Sequence, residues 1–185
     1  LVIGINSRSL GESEKKYFNS LAIYDHKLKL INSYSKINLV PFGEFLPFEK
    51  VLKRFGLKTI ANDYQSFSRG SERKVIEINQ ENFSIKFLPL ICYEIIYSGE
   101  IYENFDFDFI VNISEDGWFG NSIGPKQHFV HSIYRAIESG KYVLRSANNG
   151  IAAVVNPLGV IEKKVDYFNS GFVDFSHARK VQPTV

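Results

Sequence analysis

The sequence contains one cysteine, Cys92, which stands at the end of the apolar run LPLIC in the segment LPLICYEII. A thiol at the end of a buried strand that leads into a turn has the geometry of a nucleophile. The next backbone N–H, that of Tyr93, is then available as a donor to an oxyanion. The alternative is a core cysteine that packs as a small apolar side chain, since unreactive buried cysteines are common. The position alone leaves both interpretations open.

Histidine is the usual partner of a catalytic cysteine, but the four histidines of this chain are poor candidates. His26 falls at the tip of a predicted hairpin, and His177 lies near the end of the sequence. His128 and His131 are three residues apart on a predicted helix, a spacing that can hold a metal, but no third ligand accompanies them. The sequence therefore predicts neither a histidine base nor a metal site, and we expect no cofactor.

Lysine offers a second way to stabilise a thiolate or an oxyanion, through a fixed positive charge. Lys36 precedes the unusual run LVPFGEFLPF, which contains two prolines, one glycine and a single acid, Glu44. Taken alone, Lys36 would be interpreted as a solvated surface lysine. The motifs that surround it change that interpretation.

Composition indicates that these candidates belong to a globular chain. With 44% hydrophobic and 15% aromatic residues, the 185 residues can bury a core. The net charge is only +2 and the basic residues are interspersed with acids, so nucleic acid is not expected as a partner. The longest apolar runs have the length of strands, far short of the roughly 18 residues that a membrane-spanning helix needs.

The elements that must position the candidates are mostly strands. The best helix is QHFVHSIYRAIESGK, with Pro125 where a first turn tolerates it and Gly140 as a C-terminal cap. Strands that end in loops of small polar residues, with helices between them, predict an α/β domain whose chemistry lies at the strand ends. The apolar face of the helix is predicted to contain Phe129, Ile133, Ala136 and Ile137. The predicted strands are LVIGIN, which we expect to be buried, the hairpin SLAIYD and LKLINSY, the pair KVIEI and FSIKFLPLICYE, and then FDFIVNIS, YVLRSA, GIAAVV and GVIEKKV.

Several motifs, taken in order and at their spacing, resemble the nitrilase-type domain of the apolipoprotein N-acyltransferase family. This is a family of bacterial membrane enzymes in the nitrilase, or carbon–nitrogen hydrolase, superfamily. The motifs are YSKINLVPFGEFLPFE, FSRG, LICYEII, VNISEDGWFGNSIGPKQHF and YRAIESGKYVLRSANNGIAAVVNPLGVI. The resemblance covers nearly the whole chain. It implies an α/β fold, the nitrilase-like four-layer αββα sandwich, here incomplete at the N-terminal end.

The resemblance also implies a catalytic site of the Glu-Lys-Cys type. Cys92 would take a fatty acyl chain from a phospholipid as a thioester and pass it to the N-terminal amine of a diacylglyceryl-cysteine lipoprotein. Lys36 would help to hold the oxyanion together with the backbone N–H of Tyr93. Glu44 would orient Lys36 or the incoming amine. Tyr93 and Glu94 complete the Cys-Tyr-Glu signature of the family.

Two places in the sequence depart from the family pattern. Typical members have Asn-Asp-Ala-Trp where this chain has Glu115-Asp116-Gly117-Trp118, which would add a charge near the cleft. Trp118 itself would border the acyl-binding cleft, with a partly buried packing aromatic as the alternative. Asn38 stands where the family usually has a histidine, two residues after the lysine.

The general base of the family is a glutamate that precedes a strand equivalent to LVIGIN, and no acid of this chain matches it. Glu12, Glu14 and Asp25 are the acids that precede Lys36, and they lie in a predicted polar loop or at a hairpin end. The chain has no methionine and opens directly on LVIGIN. We therefore expect residues 1–185 to be a partial nitrilase-like domain without the first part of the domain and the membrane helices of the family. An edge strand near LVIGIN would then be exposed.

Three functions of different classes follow. The first is the N-acyltransferase, which we expect to have little or no activity as this chain alone and to reach the membrane through missing helices or a partner chain. The second is a soluble carbon–nitrogen hydrolase, an amidase, although it too would need the missing glutamate. The third is a non-catalytic gene remnant, favoured by Asn38 and Glu115. The family has its catalytic domain on the periplasmic side of the bacterial inner membrane, whereas the fragment alone would stay in the cytoplasm.

Overall fold

The computed structural model describes residues 1–10, 15–48, 54, 66–80, 83–176 and 178–184. The chain divides into two compact units, Leu1–Arg73 and Lys74–Val185. His177, Glu12 and Glu14 lie outside the described residues. Within the described part, no helix combines the length and the apolar character that crossing a membrane requires.

The first unit contains a three-stranded antiparallel sheet in the order β1-β2-β3. The strands are β1 (Val2–Leu10), β2 (Lys15–Tyr24) and β3 (Leu30–Ser35). The predicted hairpin is confirmed as β2 and β3. Its turn is closed by Asp25, whose carboxylate accepts the backbone N–H groups of Lys27 and Lys29, both at 2.8 Å.

Burial in this sheet increases toward the central strand. Residues 20–23 of β2 are buried, whereas Val2 and Ile3 of β1 are exposed. The strand predicted in LVIGIN therefore exists, but the burial predicted for it is wrong. The reason is that, among the described residues, β1 pairs with β2 alone and forms an edge of the sheet, as the expectation of an exposed edge strand requires.

The second unit contains a six-stranded sheet in the order β4-β5-β6-β7-β8-β9. The strands β5, β6 and β7 are parallel, and the remaining neighbours are antiparallel. The carboxyl ends of the three parallel strands therefore meet at one edge. Each strand overlaps a predicted one, with ends that differ by up to three residues. The bounds are β4 Ile76–Gln80, β5 Phe83–Ile91, β6 Phe109–Glu115, β7 Tyr142–Asn148, β8 Ala152–Val155 and β9 Ile161–Val165.

The helix α1 (Gly124–Ser139) connects β6 to β7. Pro125 lies in its first turn, and Gly140 ends it at a φ of 63°, where a Cβ would come within 2.3 Å of a carbonyl oxygen. Phe129 and Ala136 are buried in the core as predicted, but Ile137 is 37% exposed, so the predicted face is wrong there. The face is rotated because the helix also buries polar side chains, namely His128, Ser132, Arg135 and Ser139.

Candidate active site

Cys92 occupies a strained turn at the carboxyl end of a parallel strand. The strand β5 ends at Ile91, and a 3₁₀ helix, Cys92–Ile96, begins at the next residue. Cys92 has a φ of 50° and is a free, half-buried thiol. A left-handed backbone costs a residue other than glycine roughly 1–3 kcal/mol and persists only where its surroundings hold it. The predicted turn after the strand is therefore present, in a conformation common at functional sites.

Glu94 closes this turn from inside the protein. It is fully buried, and its Oε2 accepts the backbone N–H of Ile91 at 2.9 Å. Tyr93 is half-buried, and its ring meets that of Tyr97 edge-on with the centroids 6.1 Å apart. The Cys-Tyr-Glu sequence thus supplies a thiol and the carboxylate that fixes the backbone preceding it.

A histidine from α1 reaches the same turn. The Nδ1 of His128 lies 2.9 Å from Oδ1 of Asp116, and its Nε2 lies 3.3 Å from the carbonyl oxygen of Cys92. No motif in the sequence connected His128 with Cys92. A usable signal was the recurrence of polar residues at helical spacing in α1, at 128, 132, 135 and 139, all of which are buried.

Arg145 of β7 joins this group as a fully buried cation. Its Nη2 donates to Oδ2 of Asp116 at 2.8 Å, and its Nε donates to the carbonyl oxygen of Ile151 at 3.2 Å. Its Nη1 donates to the side chain of Asn112 in β6. We call Asp116, His128, Arg145 and Asn112 the buried polar cluster. It draws on two strands, one helix and the loop between β6 and α1.

Charge within the cluster is balanced by pairing. Burial of Asp116 favours the neutral acid, but the His128 hydrogen bond, the Arg145 charge and a Ser114 hydrogen bond outweigh it and hold the pKa of Asp116 below its usual value. Burial lowers the pKa of Arg145, while Asp116 and, more weakly, the Cys92 thiolate raise it. The pairing with Asp116 therefore offsets part of the cost of burying the Arg145 charge.

The loop after β6 carries the predicted cleft aromatic. Trp118 belongs to the 3₁₀ helix Asp116–Phe119 and is 62% exposed. This exposure favours the cleft aromatic over the packing aromatic but decides neither. The place of Trp118 at the border of an acyl cleft remains a prediction.

Glu115 is engaged in hydrogen bonds that brace this loop. Its side chain accepts the backbone N–H of Gly117 at 2.8 Å and the side-chain amides of Asn148 and Asn149, the second at 3.3 Å. It therefore caps the 3₁₀ helix in the way that a short polar residue caps an α-helix. These contacts tie Glu115 to the end of β7, and the expectation that it adds a charge near the cleft stays a prediction.

In the first unit, Lys36 and Glu44 form a buried ion pair. Lys36 is 1% exposed, so the interpretation as a surface lysine is wrong. Its Nζ lies 2.7 Å from Oε2 of Glu44, which also accepts the backbone N–H of Val40 at 2.8 Å. The other carboxylate oxygen accepts the side-chain amide of Asn19 at 2.7 Å. Glu44 thus contacts Lys36 as an orienting residue must, and its catalytic role remains a prediction.

The backbone of Lys36 is held on both sides. Its N–H donates to the carbonyl oxygen of Asn19 at 2.8 Å, and its own carbonyl oxygen accepts the N–H of Gly70 at 2.9 Å. A Cβ at Gly70 would lie 2.1 Å from the carbonyl oxygen of Ser35. The glycine of the FSRG motif is therefore explained by the close approach of two backbone segments beside Lys36.

The candidate catalytic and supporting residues fall into two groups. Lys36 and Glu44 are together in the first unit, and Cys92, Tyr93 and Glu94 are together in the second. Among the described residues, no group of three or more histidine, cysteine or acidic side chains has the arrangement of a metal site. His128 pairs with Asp116, and His131 contacts the ring of Tyr134, with 6.2 Å between centroids.

A thiol on a tight turn after a parallel strand, in a mixed α/β chain that also buries a lysine–glutamate pair, indicates a class of cysteine enzymes. The family model described as carbon-nitrogen hydrolase matches residues 1–175, and this chain belongs to that family.

Curated relatives of this chain carry the name of one enzyme within that family. The chain is 39% identical over 160 residues to an apolipoprotein N-acyltransferase of Agrobacterium fabrum, and 38% identical over 162 residues to those of Rhizobium rhizogenes and Brucella suis. These matches cover 86–87% of this chain and 30% of each relative, so the chain spans about a third of their length.

Solved structures confirm the predicted fold class. Saccharomyces cerevisiae Nit3, a member of the nitrilase superfamily, matches 88% of this chain and 54% of its own at 18% identity and a TM-score of 0.59. The glutamine-dependent NAD+ synthetase of Acinetobacter baumannii matches 92% of this chain and 30% of its own at 17% identity and a TM-score of 0.62. The fold is nitrilase-like, as the sequence predicts.

Proposed function

We propose that this chain is part of the catalytic domain of an apolipoprotein N-acyltransferase and that Cys92 is its nucleophile. The observation that carries the proposal is the strained turn that presents the only thiol of the chain at a strand end. The 38–39% identity to relatives named for this activity supports the choice of reaction within the family. The partners would be a phospholipid acyl donor and a diacylglyceryl lipoprotein acceptor.

In the first half of the reaction, the Cys92 thiolate would attack the ester carbonyl carbon of the phospholipid. A C–S bond forms, the carbonyl electrons move to oxygen, and the resulting oxyanion would be held by Lys36 and the N–H of Tyr93. When the oxyanion collapses, the C–O bond to the lipid breaks. The proton that left the thiol goes to the departing lipid oxygen, which leaves an acyl thioester on Cys92 and a lysophospholipid.

In the second half, the amine of the lipoprotein would attack the thioester carbonyl. A C–N bond forms and the C–S bond breaks, which regenerates the thiolate, while a base removes one proton from the attacking nitrogen. Glu44 would keep Lys36 directed at the oxyanion. Trp118, exposed on the loop after β6, would contact the acyl chain.

We assign the base to a glutamate outside this chain. Asp25 is engaged by two backbone N–H groups of its turn, and Glu44 accepts hydrogen bonds at both oxygens. We therefore predict little or no acyl transfer by this chain alone. The working enzyme would be at the bacterial inner membrane with its catalytic domain on the periplasmic side.

A chimera tests this function. In the chimera, this chain replaces the segment of the Agrobacterium fabrum relative that aligns with it. The chimera is then supplied with a phospholipid whose acyl chain is labelled. We expect the label on Cys92 as a hydroxylamine-sensitive thioester, and then on the N-terminal amine of an added diacylglyceryl lipopeptide. Cys92→Ala is the control and should carry no label.

The same preparations separate the alternatives. A folded chimera that releases ammonia from small amides and never carries the acyl label would favour the amidase, which the family description keeps open. A folded chimera with neither activity would favour the remnant. Appreciable acyl transfer by the chain alone, abolished by Cys92→Ala, would contradict the assignment of the base to a group outside the chain.

A further inference from the structure

The imidazole of His128 lies between two hydrogen-bond acceptors. One nitrogen faces the Asp116 carboxylate at 2.9 Å, and the other faces the carbonyl oxygen of Cys92 at 3.3 Å. The ring is buried, and its centroid lies 5.4 Å from that of Phe119. A polar side chain with so little access to water must obtain its hydrogen bonds from these neighbours.

The arrangement determines which nitrogen carries a proton. A ring with a bare Nε2 would turn a lone pair toward the Cys92 carbonyl oxygen, which is unfavourable in a buried site. With protons on both nitrogens, the ring donates from Nε2 to Cys92 and from Nδ1 to Asp116. A proton on Nε2 alone would leave a bare Nδ1 facing the Asp116 carboxylate, with Nη2 of Arg145 at 3.2 Å as its donor. The form that satisfies both acceptors therefore places a proton on Nε2.

The backbone of Cys92 needs such a donor. Its φ of 50° is unfavourable for any residue but glycine, so contacts from elsewhere must hold it. Glu94 fixes the residue before the thiol, through the N–H of Ile91. His128 contacts the other side of Cys92, at its carbonyl oxygen, just before the Tyr93 N–H proposed as an oxyanion donor.

We propose that His128 is a positioning residue for Cys92, whose Nε2–H donates to the main-chain carbonyl oxygen of Cys92 and maintains the turn that presents the thiol. Asp116 and Arg145 hold the ring in this orientation and are not themselves in contact with substrate. The proposal deepens the proposed function, because it rests on Cys92 as the nucleophile, and it assigns His128 no proton transfer.

Two substitutions at His128 test whether the turn depends on the donor at the Nε2 position or only on a polar side chain that fills the site. In His128→Gln, the side-chain amide nitrogen can reach the place of Nε2 and donate to Cys92, while the bond at the Nδ1 side is lost. In His128→Asn, the shorter amide can replace the Nδ1 side and leaves the Cys92 carbonyl oxygen without a donor. The readout is the rate at which iodoacetamide alkylates the folded chain, and every adduct reports Cys92 because it is the only cysteine.

We expect His128→Gln to stay within about threefold of the parent rate and His128→Asn to fall by about tenfold, which corresponds to one lost hydrogen bond. The rate falls because the relaxed turn no longer presents the thiol. The matched pair His131→Gln and His131→Asn, one turn further along α1, should differ little. Equal rates for the two His128 variants, or a faster rate for His128→Asn, would overturn the proposal.

A spectroscopic measurement on the parent chain covers the case in which the variants do not fold. Ring ¹⁵N spectra show which imidazole nitrogens carry protons, and we expect the signal of a protonated Nε2 for His128. A bare Nε2 would overturn the proposal. Neither measurement uses a lipid substrate, so failure of the acylation chimera would contradict the proposed function and leave the His128 result standing.

Discussion

The two candidate groups, around Lys36 and around Cys92, are held in place in different ways. Lys36 is oriented by Glu44, eight residues further along the chain, and its backbone is tied to segments of the same unit. Cys92 is contacted by His128 from 36 residues away, and His128 depends on Asp116, which is bound by Arg145 from 29 residues away. One group is a pair, and the other is a network.

This difference has an energetic consequence. A buried ion pair whose remaining lone pairs are satisfied locally can be replaced as a unit, since removing both charges removes both desolvation penalties. In a network each residue has several partners, so removing two members leaves the others without their hydrogen bonds. Substitutions in the Cys92 group should therefore be harder to rescue than those in the Lys36 group.

The largest effect is expected for Arg145→Met. The substitution leaves the Asp116 carboxylate buried without its cation and removes a donor from Asn112, so we expect a loss of about 5 kcal/mol in the free energy of unfolding. Urea unfolding measures it, with the exposed Arg179→Met as the control. Adding Asp116→Asn should recover only a minor part, because Asn112 still lacks its donor. Full recovery would show that the group behaves as a simple pair.

Substitutions in the Lys36 group should lower the free energy of unfolding by less, and a second substitution should restore more of it. Lys36→Met should cost about 3 kcal/mol, because the Glu44 carboxylate keeps its bonds from Val40 and Asn19 but loses its cation. In Lys36→Met with Glu44→Gln neither charge remains, so the double variant should be more stable than the sum of the two single effects predicts. Lys16→Met, on the exposed part of β2, is the control. If the effects of Lys36→Met and Glu44→Gln simply add, the Lys36 group is no easier to rescue than the Cys92 group.

The same contrast explains how much of the molecule was predictable from its sequence. The strands, α1 and the turn at Cys92 follow from apolar runs and punctuating residues, and the contact of Glu44 with Lys36 follows from a resemblance in one continuous motif. The buried polar cluster was not predicted because buried faces were inferred from the spacing of apolar residues. By that criterion arginine, aspartate and histidine are assigned to the surface. Their pairing depends on which strand ends meet, and that is a property of the sheet order. Ile137 was misplaced for the same reason, since the polar face of α1 is buried.

Acid should weaken the Cys92 group through Asp116. The pKa of Asp116 in the folded chain lies below 3.8, so its ionised form contributes stability above that value and loses the contribution as the pH falls toward the folded pKa. Asp116→Asn cannot titrate. The difference in unfolding free energy between the parent and Asp116→Asn should therefore be constant near neutral pH and narrow below about pH 4. Urea titrations between pH 3 and 7 measure it in steps of about one unit, and a constant difference down to pH 3 would contradict the ion pairing of Asp116.

The smallest effect concerns the residue by which the loop departs from its family. Glu115→Asn restores the residue expected from the resemblance and can still cap the 3₁₀ helix, but asparagine is one methylene shorter and cannot also reach both asparagines of the β7 end. We expect a loss of about 1 kcal/mol, the usual size of one lost hydrogen bond, as measured by urea unfolding. Glu115→Gln, which keeps the length of the side chain, should lose less. A stabilised Glu115→Asn would instead mean that the loop lost its family residue without compensation, which is what a decaying gene produces. A destabilised one means that Glu115 stabilises the loop through Asn148 and Asn149, which argues against the remnant.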